Sequence, residues 1–190
     1  MLYTTRRLLL ERGACQERYD LLVGALGEEA ADEDAAIPLR RIFDLNGFLD
    51  TLWALRAVPE HQWTARDYLS RTLACEYAER VLPIFEAKFP ADGRTLRDAL
   101  FVARCFADGK VTPPALRRAY VTAYDLSVGA MGLENWAVAR SVMWAATPDS
   151  PEEAACGATV AEWAFSRPED RRAERTWQKE RFLQRLEGYA

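Results

Sequence analysis

The stretch from Ala74 to Gly109, ACEYAERVLPIFEAKFPADGRTLRDALFVARCFADG, restricts the fold more than any other part of the chain. Leu69, Leu73, Tyr77, Val81 and Phe85 recur at helical spacing, and Ala74, Ala78, Leu82, Phe85 and Phe89 form a second stripe beside the first. Two adjacent apolar stripes cover more than half the circumference of a helix, so this helix needs neighbours on several sides. Thr64 opens it and Pro90 ends it. Pro83 removes an amide donor and crowds the preceding turn, which predicts a kink near Val81–Leu82 or a fresh helix starting there. Asp92–Gly93 then reads as a tight turn. Leu96, Ala99, Leu100, Ala103, Phe106 and Ala107 mark a second amphipathic helix, closed by Gly109. The expectation is a central kinked helical hairpin over residues 64–109.

The flanking segments are also helical in period. Thr4 or Thr5 can cap a first short helix and Gly13 can end it; Tyr19, Leu22, Val23 and Leu26 share one face of the next. Pro38 suits the first turn of a further helix, with a break or bend at Asn46–Gly47, and Pro59 closes that unit. Thr112–Pro113 and Gly132 bound two more. Ser150-Pro151-Glu152-Glu153 has the form of a capping box, with the serine hydroxyl bonding the amide of Glu153 and the Glu153 carboxylate returning to Ser150. Ser166 with Glu169 repeats it. Trp53, Trp136, Trp144 and Trp163 fall within helical patterns and read as core, whereas Trp177 lies in a highly charged helix with solvated, mixed charges. No segment alternates long enough to argue for a sheet. The fold class is therefore all-α, a single domain of about eight or nine helices stacked as antiparallel pairs around the hairpin. Residues 1–27 form an N-terminal helical segment, 28–37 an acidic linker or loop, and 38–190 the helical domain.

The balance of 25 basic against 29 acidic residues gives a net charge of -4, with no overall basic field to hold a nucleic acid directly. Cys15, Cys75, Cys105 and Cys156 stand far apart beside a single histidine, so no metal site and no cofactor is expected, and the cysteines read as free thiols of a reducing cytosol. The three leucines after the N-terminal arginines are too few for a signal peptide, and no run suits a membrane span. The expected setting is cytoplasmic.

Candidate chemistry is sparse. His61 sits in a proline-led loop with no evident partner, and Cys75 has Glu76 and Glu79 close by, which raise a thiol pKa and weaken it as a nucleophile. Glu76, Glu79, Arg80, Asp92 and Arg94 crowd the hairpin and read as ion-pair partners, or else as a polar site. Glu28, Glu29, Asp32, Glu33 and Asp34 form an acidic run that is either a solvated linker or a patch for a basic partner. No catalytic residues are assigned.

The pattern A-C-E-Y-A-E-R-V-L-P-I-F-E, followed by P-x-D-G-R-x-x-R-D-A-L (residues 74–100), resembles a family of small, Ala-rich helical immunity proteins of bacterial toxin systems, with similar sequences in phages and prophages. L-x-x-R-G-A-C-Q-E-R (Leu9 to Arg18) and A-E-R-T-W-Q-K-E-R-F-L (Ala173 to Leu183) are similar to the phage-associated group; after Gly109 the chain departs from the family's usual appearance, with fewer alanine runs and more tryptophan. The resemblance implies a non-enzymatic inhibitor that blocks a protein partner sterically. That partner would be a toxin, or a host defence complex such as a CRISPR effector met by a phage-encoded inhibitor, with a nuclease the obvious type. The rival expectations are an enzyme with a small polar pocket in the helical array and a phage assembly factor.

Overall fold

The computed structural model describes residues 1–189. Among them lie ten α-helices: α1 (Arg6–Glu11), α2 (Gln16–Leu26), α3 (Leu39–Asn46), α4 (Phe48–Ala54), α5 (Trp63–Lys88), α6 (Pro90–Ala107), α7 (Pro113–Gly129), α8 (Leu133–Ala145), α9 (Ala154–Ala158) and α10 (Pro168–Glu187). Short 3-10 turns link several of them, and the fold is all-α apart from one pair of two-residue strands. In that pair β1 (Tyr3–Thr4) runs antiparallel to β2 (Ile37–Pro38), with Tyr3 opposite Pro38 and Thr4 opposite Ile37. Two residues are too few to show alternation, so the strands leave no sequence signal. Contacts group the described residues into two compact units, Met1–Arg66 with residues 183–189, and Asp67–Phe182.

In the first unit the helix ends follow local chemistry. The Thr5 hydroxyl accepts the Leu8 amide at 3.2 Å and caps α1. Gly13, at φ +78, donates to Leu10 O while Ala14 donates to Leu9 O, and these two bonds satisfy the last carbonyls of the helix. Gly47, at φ +86, separates α3 from α4, so Asn46–Gly47 is a break. Leu39, Ile42, Leu52 and Leu55 supply this unit's core.

The second unit is built on α5. Every residue from 69 to 78 is buried, polar ones included, as expected of a helix enclosed on all sides. Each polar group there must then find a partner inside the protein. Ser70 Oγ accepts the Ala155 amide at 3.0 Å. The Arg71 guanidinium donates to Ala145 O at 2.8 Å and Thr147 O at 2.9 Å, satisfying carbonyls at the C-terminal end of α8. Tyr77 donates its hydroxyl to Gln178 O on α10 at 3.1 Å. Alanines at 0 % exposure, among them Ala137, Ala139, Ala154, Ala155, Ala158 and Ala161, let α8, α9 and the 3-10 turn of residues 159–164 approach closely.

Several local expectations are corrected. Helix α5 continues through Pro83, so no new helix starts there. The chain reverses at Phe89 (φ −134, ψ 75), and Asp92 and Gly93 belong to the first turn of α6. Glycine at 93 serves a close approach: a Cβ there would lie 2.8 Å from the Cα of Glu86. The hairpin is clamped by Arg97 on Glu86 (both bonds 2.6 Å) and Arg104 on Glu79 (2.6 and 3.0 Å). The Ser150 hydroxyl makes no capping bond; its carbonyl accepts the Glu153 amide in a 3-10 turn, and α9 that follows is only five residues long. Ser166 bonds Glu134 instead of capping α10. Trp53, Trp136 and Trp144 are half-buried, and Trp163 is 39 % exposed with the Arg171 guanidinium 4.6 Å over its ring. An indole combines a large apolar body with a polar edge, so helical phase alone does not place it in a core.

Candidate partner-binding surface

In the first unit, residues 27–30 make a 3-10 turn that leaves Glu28, Glu29, Asp32, Glu33 and Asp34 all exposed. The segment is tethered nonetheless. Ala30 is buried and its carbonyl accepts the Arg6 guanidinium, which also lies 5.9 Å over the Tyr19 ring. Arg7 pairs with Glu33 (3.1 Å) and with Asp34, and Arg41 pairs with Glu29 at 3.2 Å. The Asp32 carboxylate accepts the Asp34 amide at 2.9 Å. The run is therefore an ordered acidic surface in which the two arginines offset part of the charge. Pairs this exposed contribute roughly 0–1 kcal/mol each to stability, so the carboxylates are not held there by folding.

The polar residues predicted around the hairpin are dispersed by their partners. Glu76, with its side chain 8 % exposed, receives two bonds from Arg181 of α10 at 2.6 and 2.8 Å. Glu79 faces Arg104 of α6. Arg80 donates to Glu174 of α10 at 2.6 Å and lies 4.5 Å over the Trp177 ring. Asp92 and Arg94 are exposed at the start of α6, and the structure brings neither to the others. Burial lifts Glu174 above the usual carboxylate range, against the hydrogen bonds from Arg80 and Gln178 that lower it. On α10, therefore, the expected solvated face is interrupted by Glu174 and Gln178, which are buried.

His61 is exposed in a 3-10 turn, with its Nε2 3.3 Å from the Tyr3 hydroxyl. Cys75 is fully buried, and that burial pushes its thiol up to about 12, so at neutral pH it is a protonated, inert side chain. Among the described residues, no three His, Cys, Asp or Glu side chains are grouped to hold a metal ion, and no helix is long and apolar enough to cross a membrane.

One surface feature of the second unit escaped the sequence reading. Leu116, Ala119, Ala123 and Ser127 bury one face of α7, while Val121 (49 %), Tyr124 (42 %) and Val128 (68 %) are exposed on another at i, i+3, i+7 spacing. Met131 (85 %) and Leu133 (50 %) extend the exposed apolar residues beyond the helix. The signal was present as a second apolar stripe, 121-124-128, beside the core stripe. Tyr124 stacks on Tyr120 with ring centroids 6.2 Å apart, which orders it at the surface.

No curated protein and no solved structure matches the chain. A family profile described as Imm-5 like putative immunity protein matches residues 64–185, a span that holds α6 to α9 whole, nearly all of α5 and most of α10. That span covers well over half the sequence: the chain belongs to the Imm-5 like immunity protein family.

Proposed function

We propose that this protein neutralises a protein toxin by binding it and blocking it sterically, without catalysis. Family membership over residues 64–185 carries the reading. Two surfaces support it: the ordered acidic turn at 28–34, and the exposed apolar stripe of α7. The acidic residues offer a field that speeds encounter with a basic partner such as a nuclease, and exposed aromatic and aliphatic side chains suit the contact that follows. The Arg–Glu pairs of α5 and α10 act here as structural clamps. A phage-encoded inhibitor of a host defence complex would use the same surfaces, and the identity of the captured partner separates the two settings.

The test is affinity capture of the tagged full chain from its native host, read by mass spectrometry at low and moderate salt. One stoichiometric protein that arrests growth when expressed alone is the expected result; recovery of the chain alone overturns the reading. With that partner in hand, replacing Glu28, Glu29 and Glu33 by Gln and Asp32 and Asp34 by Ser is expected to slow association by on the order of tenfold and to flatten its salt dependence. Unchanged association kinetics would remove the acidic turn from the interface.

A further inference from the structure

Where α5 ends, α6 begins and α7 ends, the second unit holds a groove of about 330 Å³ lined by Phe85, Phe89, Asp92, Asp125, Leu126, Gly129, Ala130 and Met131. That volume lies at the small end of the range for ligand clefts. Phe89 continues the apolar stripe of α5 yet is 41 % exposed, and its ring meets that of Phe85 at 5.1 Å. Met131, also on the lining, is 85 % exposed. Large apolar side chains left open beside a concavity mark a contact surface.

The two carboxylates decide what the contact is. Glu86 on α5 and Glu134 on α8 are each held by an arginine or lysine, whereas among the described residues Asp92 and Asp125 have no cationic partner. Asp92 in the first turn of α6 is favoured by the positive end of that helix. Asp125 is not: it lies about one turn from the C-terminal end of α7, where a negative charge is opposed by the helix dipole. Folding gains nothing from it, and an incoming cation would relieve it. Lys88 is tied to Glu134, and neither it nor Arg94 lines the groove.

We infer that this groove receives a segment of the partner protein in which a lysine or arginine neighbours a large apolar side chain, the cation set against Asp92 and Asp125 and the apolar group against Phe89 and Met131. A second copy of this chain is the wrong occupant, because a two-fold contact through the groove would bring the same carboxylates together. The inference rests on the proposed reading that the partner is a protein.

The probe is a random 12-residue peptide library selected on the immobilised full chain, followed by mapping of the selected peptides on the labelled protein by NMR. The expected result is a consensus of Lys or Arg beside Leu, Phe or Met, with shifts confined to the lining residues. The double variant Asp92→Asn/Asp125→Asn, and separately Phe89→Ser, should each weaken binding at least tenfold; these side chains are exposed or unpaired, and an unchanged thermal transition confirms folding. A consensus without basic residues, shifts elsewhere, or equal binding by the Asn variant overturns the inference. Failure of the underlying reading looks different: the peptides bind the groove, but no growth-arresting partner is captured. Conversely, a partner captured equally by wild type and by both variants leaves the reading standing and removes the groove.

Discussion

Arg80→Met is expected to destabilise the protein by about 2 kcal/mol near neutral pH, because it leaves a buried carboxylate without its cation, while the solvent around the half-exposed guanidinium keeps the loss below that of a fully buried pair. The Glu174 side chain is 1 % exposed, while Arg80 reaches it from the surface with its own side chain 43 % exposed. Methionine keeps the packing against Trp177, so the change isolates the charge. What remains for Glu174 is the Gln178 amide at 3.2 Å. The pH dependence gives the mechanism away. Burial already holds Glu174 above its ordinary value of 4.5, and removing Arg80 raises it further. Between 4.5 and the raised value the folded protein binds more protons than the unfolded chain. Stability from this group is therefore gained on acidification and lost as pH rises through the raised value. Denaturant unfolding near pH 7.5 and near pH 5 should show the gap between variant and wild type narrowing at the lower pH. Gln178 turns its Nε2 toward Glu174, and its Oε1 is buried without a donor among the described residues, so turning the amide over would give a protonated Glu174 an acceptor. Arg80→Met/Glu174→Met should recover most of the loss. A gap that stays constant or widens toward acid would show that Arg80 acts through packing and not through charge.

Gly157→Ala is expected to cost at least as much, by a different route. A Cβ at 157 would lie 2.1 Å from Cδ2 of Trp144 and 2.5 Å from two further ring atoms. These are ring atoms of a rigid indole, so the clash cannot be relieved by bending the tip of a flexible chain. Either α9 moves off α8 or Trp144 leaves its half-buried position. Overpacking of this kind costs roughly 1–3 kcal/mol and occasionally more, and the displaced indole adds lost burial. The loss of stability should reach about 3 kcal/mol. A double-variant cycle checks the cause: with Trp144→Leu in place, the added methyl should cost under about 1 kcal/mol. Equal costs in both backgrounds would mean that glycine is needed for its backbone and not for the approach to Trp144.

Much of the fold was legible because its signals are local. The double stripe of α5 predicts an enclosed helix, and residues 69–78 are all buried. Gly13 and Gly109 both end helices with paired backbone bonds to the preceding turn. Asp92–Gly93 misled, because Asp-Gly favours turns, while here the glycine answers to Glu86 on the neighbouring helix. The Ser150 motif failed similarly: its residues suit a capping box, but the chain tightens into 3-10 geometry. The partners of Glu76 and Arg80, Arg181 and Glu174, lie on α10, more than ninety positions away in sequence. No spacing rule reaches that far. Phe89 continues the core stripe and so reads as buried; only the position of Met131 and Asp125 beside it makes it part of a surface.

Neutralisation by stoichiometric binding has a direct readout in a titration. The toxic activity of the captured partner would be measured against increasing amounts of this protein, at partner concentrations well above the dissociation constant. A linear fall to an end point at one fixed ratio is expected, with activity returning when the complex is separated. Complete loss of activity at a small fraction of one equivalent, persisting after separation, would show turnover and rule out stoichiometric neutralisation.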